Sequence, residues 1–334
     1  MSVRVDVDWK YRGLQVVRLE NKFLCIDVLP ELGAKVFNFI YKPLDRNLLW
    51  HNPGIPPSRQ CYGTGFDDVW SGGWDELIPN DIPFQLQPGE TLPDHGEVWS
   101  QKSEWDVSEN SMAVSASFIN CGRVVPIRFE KIITLRAKES MCNVSYRLTN
   151  NWTKSLKFLW NIHPPMSISP QTKLDVPASR CITDTWGTAD FKERTEFQWP
   201  IIVYPGGGRL DLSLVPPPER GIADFHYLPD IEGGWYAVTD TASRSGWGFV
   251  FDTGVFPHLW LFRSIGGWRG LYTLILEAST GYPNDLSEAI SSGNCAFLES
   301  GQTVETSVKA IAYRGCGSVE KIDPDGSVVA RKSE

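Results

Sequence analysis

The 334-residue sequence predicts an all-β fold, and three observations predict it. Apolar and polar residues alternate with period two in many short runs. Clusters of glycine, proline and asparagine punctuate those runs. No helix of three or more turns can be drawn. Many strands at short spacing in so long a chain fit two large packed sheets. No composition shift or linker divides the chain, so one domain over 1–334 is expected, with its core at about 15–312. No repeat at a fixed period is visible, which argues against a propeller.

The elements follow in order. Leu24, Ile26 and Val28 alternate with Cys25 and Asp27. Ile127, Phe129, Ile133 and Leu135 form a strand around Glu130, Lys131 and Thr134, with one slip in the alternation. Val144, Tyr146 and Leu148 alternate with Ser145 and Arg147. In "KFLWNIHPPMS", Phe158, Trp160 and Ile162 share one face, and Lys157, Leu159, Asn161 and His163 the other, before two prolines stop the strand. In "LYTLILEASTGYP", Tyr272, Leu274 and Leu276 oppose Thr273, Ile275, Glu277 and Ser279. Val304, Ser307, Val308, Ala310 and Ala312 make a late strand. Turns are expected at Asn150-Asn151, at Pro205 to Gly208 as a hairpin, at Gly233-Gly234 and at Gly266-Gly267. Short helical turns are expected near 286–290 and 190–194. Pro216-Pro217-Pro218 stiffens a loop, and the tail after Cys316 is polar and peripheral, with "GSVV" able to add an edge strand.

Composition narrows the function. The formal net charge of −8, with no run of Lys or Arg, argues against nucleic acid and against an anionic membrane surface. No apolar signal segment opens the chain and no apolar run is long enough to span a bilayer, so a cytoplasmic protein is expected, monomer or homodimer. The seven cysteines include no CxxC pair, which excludes a zinc ribbon or redox motif and fits a reduced compartment. Fourteen tryptophans exceed what a core needs, and some can serve as flat platforms for sugar rings.

A few side chains stand out against this apolar background. His163 at a rigid strand end is a good position for a proton donor, or a core histidine satisfied by hydrogen bonds. Glu277 interrupts an apolar strand; such a carboxylate is either paired, for instance with Arg263 or Arg269, or put to use as a base with its pKa raised by burial. "LPDHGEVWS" sets His95 between Asp94 and Glu97 on a loop kinked by Pro93. The segment 63–81, "GTGFDDVWSGGWDELIPND", is rich in glycine and acid. Its Asp67, Asp68, Asp75, Glu76 and Asp81 do not follow EF-hand spacing, so hydroxyl recognition beside Trp74 is preferred to a metal. No GxSxG elbow, Walker loop, strand-linked GxGxxG or HExxH is present.

Taken in order, the segments "LPELGAKVFNFIYKPLDRNLLWHNPG", "GGWDELIPND", "DHGEVWS", "LWNIHPPMSI" and "FPHLWLFRSIGGW…YTLILEASTGYPNDLSEAI" resemble the aldose 1-epimerase (galactose mutarotase-like) superfamily. The resemblance covers roughly residues 15 to 312. It implies a β-supersandwich of large, mostly antiparallel sheets and interconversion of sugar anomers without a cofactor or metal. It implies Glu277 as the base on the C1 hydroxyl and His163 as the acid on the ring oxygen, both reaching one bound monosaccharide. His95 would hydrogen-bond the sugar, with Asp94 and Glu97 fixing its tautomer. Asp224, Arg59, Trp74, Asp75, Trp160 and Asn161 complete the expected sugar-binding set. The family's "NHxYFNL" text is replaced here by "IHPPMSI", so D-galactose is not implied. A carbohydrate-binding protein on the same fold, non-catalytic or with different chemistry, is the alternative.

Overall fold

The computed structural model describes residues 3–189 and 191–332. Strand accounts for 51% and helix for 6% of the molecule, an all-β protein as the alternation predicts. The chain forms two compact units, residues 1–163 with 279–308, and residues 164–278 with 309–334. Both are discontinuous, so no linker marks them in the sequence.

In the first unit, five antiparallel strands run in the order Arg4–Asp6, Val17–Glu20, Leu24–Leu29, Lys35–Tyr41, Arg46–Asn47. Leu24–Leu29 is buried on both faces, which is why its alternation of Leu24, Ile26 and Val28 with Cys25 and Asp27 is imperfect. Its Asp27 is neutralised by Arg18 on the neighbouring strand, 2.6 and 2.8 Å away. A meander of Glu104–Glu109, Ala113–Cys121, Ile127–Arg136 and Met141–Asn150 keeps one unbroken register throughout.

Ile127–Arg136 shows what the slip in the alternation is. The strand does not bulge; Lys131 takes a core-facing position and is 1% exposed. Its Nζ donates to Glu76 Oε2 at 2.8 Å and to the Ala34 carbonyl at 3.1 Å, and Tyr146 Oη donates to Glu76 Oε1 at 2.7 Å. The lysine stem fills apolar space while its ammonium is satisfied by a carboxylate.

The single strand expected over 157–163 is two. Leu156–Phe158 pairs with Ala296–Leu298, and Asn161–His163 pairs with Asp75–Leu77. Between them, the Trp160 amide donates to Thr280 Oγ1 at 2.8 Å, so the chain changes partners there. The helix near 286–290 forms as Leu286–Ser292, with Asp285 accepting from the amides of Ser287 and Glu288 as its N-cap. Of the turn expected at 190–194, Asp190 lies outside the described residues, and 191–194 hold only a bend at Lys192 and Glu193, with no helical turn.

In the second unit, Thr195–Gln198, Arg180–Gly187, Ile222–Leu228, His258–Ile265 and Tyr272–Ser279 lie side by side, and Pro165–Met166 pairs with the last of them. Thr172–Asp175, Trp235–Asp240 and Ser245–Phe251 form a second antiparallel array. Pro205 to Gly208 is the expected hairpin turn, joining Ile201–Val203 to Arg209–Asp211. The tail is not peripheral: Val319–Ile322 and Val328–Ala330 make a hairpin with Val319 and Ile322 buried. Asp175 holds it by accepting from the Val319 amide at 2.7 Å and from Ser318 Oγ at 3.1 Å.

Among the described residues no helix is long and apolar enough to cross a membrane. The seven cysteines are all free thiols.

Candidate functional site

The loop carrying His95 is fixed by backbone geometry before any side chain acts. His95 and Gly96 both have positive φ, 60° and 78°. A Cβ on Gly96 would lie 2.1 Å from the Ile78 carbonyl oxygen, so only glycine lets the two segments meet. The Glu97 amide then donates to that same carbonyl at 2.8 Å. Asp94 ties the loop to the segment 63–81: its Oδ2 accepts from the Phe66 amide at 2.8 Å while its Oδ1 lies 2.9 Å from His95 Nδ1.

His95 is flanked by two carboxylates. Beyond the contact to Asp94, its Nε2 stands 3.8 Å from Asp81 Oδ1. Burial alone would depress its pKa; the charge of Asp81 and the hydrogen bond and charge of Asp94 outweigh it and hold His95 at about 9. Asp81 itself is pushed up to about 6 by burial, with His95 and Asn284 pulling the other way. Asp94 stays below its usual range, because the bonds from His95 and Phe66 outweigh its burial. Near neutral pH, His95 is therefore an imidazolium.

His163 ends the strand Asn161–His163, opposite Asp75, and is 4% exposed. Burial first, then the positive charges of His95 and Lys35, hold its pKa well below the ordinary histidine range. Its Nδ1 is buried and has no hydrogen-bond partner. The two imidazoles meet nearly edge to face, centroids 6.2 Å apart at 87°. Phe66 stacks on His95 at 4.2 Å and meets His163 edge-on at 5.5 Å, and Trp70 closes on His163 at 5.8 Å. One charged and one neutral histidine thus share an aromatic enclosure.

The other candidates of this unit fall in distinct places. Asn161 is buried; its Oδ1 accepts from Ser279 Oγ at 2.6 Å, and its Nδ2 has no partner. Asp75 is buried against Lys35 Nζ at 2.7 Å, and burial pushes its pKa up to about 6 despite that lysine. Trp74 and Trp160 are wholly buried, Trp160 edge-on to Phe129 and Tyr146. Glu97, rather than fixing the His95 tautomer, accepts from Tyr62 Oη at 2.8 Å and from the amides of Arg123, Val124 and Val125 at 2.7–3.1 Å. Asp81 occupies the position at His95 that Glu97 was expected to fill. Arg59 is largely exposed and bonded to Glu31.

In the second unit, Glu277 is 3% exposed on Tyr272–Ser279. Burial and then its charge raise the Tyr236 hydroxyl well above the usual tyrosine range. Arg263 stands directly opposite Asp224 across two strands and grips it with Nε and Nη2, at 2.8 and 2.6 Å. His226 Nε2 adds a third contact at 3.0 Å. Burial would raise the Asp224 pKa, but Arg263 and His226 hold it well below the carboxylate range. Asp224 is thus committed to a buried triad. Trp186, Phe262 and Trp268 form an aromatic cluster with centroids 5.3–6.3 Å apart, and Trp186 is 39% exposed.

Sequence reasoning missed Phe66 and Trp70, and it named Asp81 without pairing it with His95. Phe66 opens the short helix Phe66–Val69, and the four-residue step to Trp70 sets both rings on one side. That spacing was readable in "FDDVW", but the surrounding glycines point to a closely packed loop and not to a helical turn.

No family model and no curated protein matches this chain. Solved structures do. A galactose mutarotase-like protein from Clostridium acetobutylicum superposes with TM-score 0.68 at 11% identity, covering 94% of this chain and 99% of that one. A galactose mutarotase-like protein from Lactobacillus casei gives 0.61 at 18% identity, covering 89% and 100%. A protein from Synechocystis sp. PCC 6803 gives 0.68 at 15%, covering 93% and 99%. The fold is therefore the galactose mutarotase-like β-sandwich, as the sequence resemblance implied.

Proposed function

We propose that the protein is a sugar mutarotase of the aldose 1-epimerase type, acting on a small free aldose or aldose derivative by acid and base catalysis. The observation that supports it most is the His95–His163 pair, one imidazole protonated and one neutral, enclosed by aromatic rings of the kind that pack on sugar C–H faces. Glu277 takes the proton from the C1 hydroxyl as the C1–ring oxygen bond breaks, leaving an aldehyde. The ring oxygen receives a proton from the histidine pair. The open chain turns about C1–C2, and the same steps in reverse close the ring on the other face. Protons taken and given balance, so the reaction needs no cofactor.

The resting proton sits on His95, so in this reading the His95 imidazolium gives its Nε2 proton to the ring oxygen while the neutral His163 N–H polarises it. Asn161, buried beside His163 with its Nδ2 unbonded, is placed in this reading to receive a sugar hydroxyl. Exchange NMR across free aldoses, uronates and sugar phosphates tests the proposal. Glu277→Gln and His163→Ala are each expected to slow anomer exchange at least about 100-fold on the substrate that wild type accelerates. Sugar binding with equal exchange in wild type and both variants would instead support a carbohydrate-binding role on this fold.

A further inference from the structure

An open cleft of about 470 Å³ in the first unit is lined by Gln60, Tyr62, Gln101, Lys102 and Arg123, with Cys121 also on its wall. Its chemistry is one-sided. Among the described residues neither Lys102 nor Arg123 has a carboxylate within ion-pair distance; the Arg123 guanidinium instead lies 4.6 Å over the Tyr62 ring. Both side chains are exposed to the cleft solvent.

The nearby carboxylates are already engaged. Glu97 is saturated by the Tyr62 hydroxyl and three backbone amides, so the tyrosine turns its proton away from the cleft. Glu31, whose charge reaches Lys102, is bonded to Arg59 and to the Gln15 amide. In a chain of formal charge −8, two cations without a carboxylate partner on the wall of one cavity are a local exception. A cleft that offers donors and positive charge selects an anion with several acceptor oxygens.

We propose that this cleft is a binding site for a phosphate group, free or as a monoester of a small polyol. The guanidinium offers a planar pair of N–H donors and the ammonium a point charge. The cavity is wider than phosphate alone, which leaves room for an esterified carbon chain. The site stands independently of the mutarotase reading, since none of its residues is assigned there to the reaction.

Isothermal titration at low ionic strength with inorganic phosphate, glycerol phosphate and glycerol tests it. Saturable binding of either phosphate species, and none of glycerol, is expected. A tighter monoester identifies an esterified ligand, and equal affinities identify free phosphate. Lys102→Ala and Arg123→Ala should each weaken binding about tenfold. Both side chains lie on the surface, and unchanged melting temperatures will show that the variants fold. In the Cys61→Ser protein, alkylation of Cys121 by neutral iodoacetamide should slow at saturating phosphate. Binding no stronger than that of chloride at matched ionic strength, or full affinity in the double variant, would overturn the site.

Discussion

His95 shows how far one residue can depart from its sequence reading while keeping its place in the site. The motif singled out the residue, and the loop around it explains why it is charged: Asp94 at 2.9 Å and Asp81 at 3.8 Å outweigh the cost of burial. Asp94 is adjacent in sequence and was legible, whereas Asp81 arrives from a separate segment and was not. A pKa raised on folding stabilises the native state fully below the unfolded value of 6.5, and that contribution is lost as pH rises through about 9. His163 has the opposite sign. The unfolded chain takes a proton that the buried imidazole refuses, so its contribution is lost as pH falls below 6.5. On the proposed mechanism, the high-pH limb of kcat should therefore descend near 9, where the pair loses its proton. In His95→Gln that limb should vanish along with most of the rate, and the melting temperature should fall less between pH 7 and 10 than in wild type. A limb well below 6.5 in wild type, where burial holds the neighbouring imidazole, would place the reacting proton on His163 instead.

Strands were the legible scale, because alternation is local: each residue faces in or out according to its own position. Met141–Asn150 shows the clean pattern, and Leu286–Ser292 announces itself through Asp285 before it and Gly293 after it. What escaped were pairings between elements. Lys131 interrupts the apolar face of Ile127–Arg136 because its partner Glu76 lies 55 residues earlier, and nothing near either residue names the other. The same holds for Asp224, whose partner Arg263 is 39 residues on. Lys131→Met keeps the stem volume but strands Glu76, leaving Tyr146 as its remaining partner. That should cost roughly 3–5 kcal/mol in urea unfolding. Adding Glu76→Gln should recover a large part of the loss, because a neutral amide can still bond Tyr146. If Lys131→Met alone unfolds like wild type, the ion pair is not what secures the strand.

Each of the two units is completed by a segment late in the chain, so neither can be finished until those residues are made. The sequence hid this for a physical reason. Crossings after residues 163, 278 and 308 fall within or beside apolar stretches instead of in linkers, so composition does not change at them. The tail was misread on the same ground. Its polarity is that of a short hairpin with only two anchors, Val319 and Ile322, turned inward. Those anchors sit against a strand that has made room for them: a Cβ on Gly248 would come 2.3 Å from Ile322 Cδ1, so glycine there leaves the space the isoleucine fills. Asp175 is the polar half of the same contact, accepting from Ser318 and the Val319 amide, with Lys173 Nζ 3.2 Å away. Truncation after Gly317 would expose the apolar surface under both anchors and leave Asp175 without its amide partner. Burying one aliphatic side chain is worth about 1.5–3 kcal/mol, so the truncated protein should lose about 3 kcal/mol or more against chemical denaturation. Hydrogen exchange should accelerate in Thr172–Asp175, Trp235–Asp240 and Ser245–Phe251, the array beneath the hairpin, while the meander from Glu104 to Asn150 keeps its protection. Unchanged exchange in those three strands would show the hairpin to be a surface attachment, as its composition suggests.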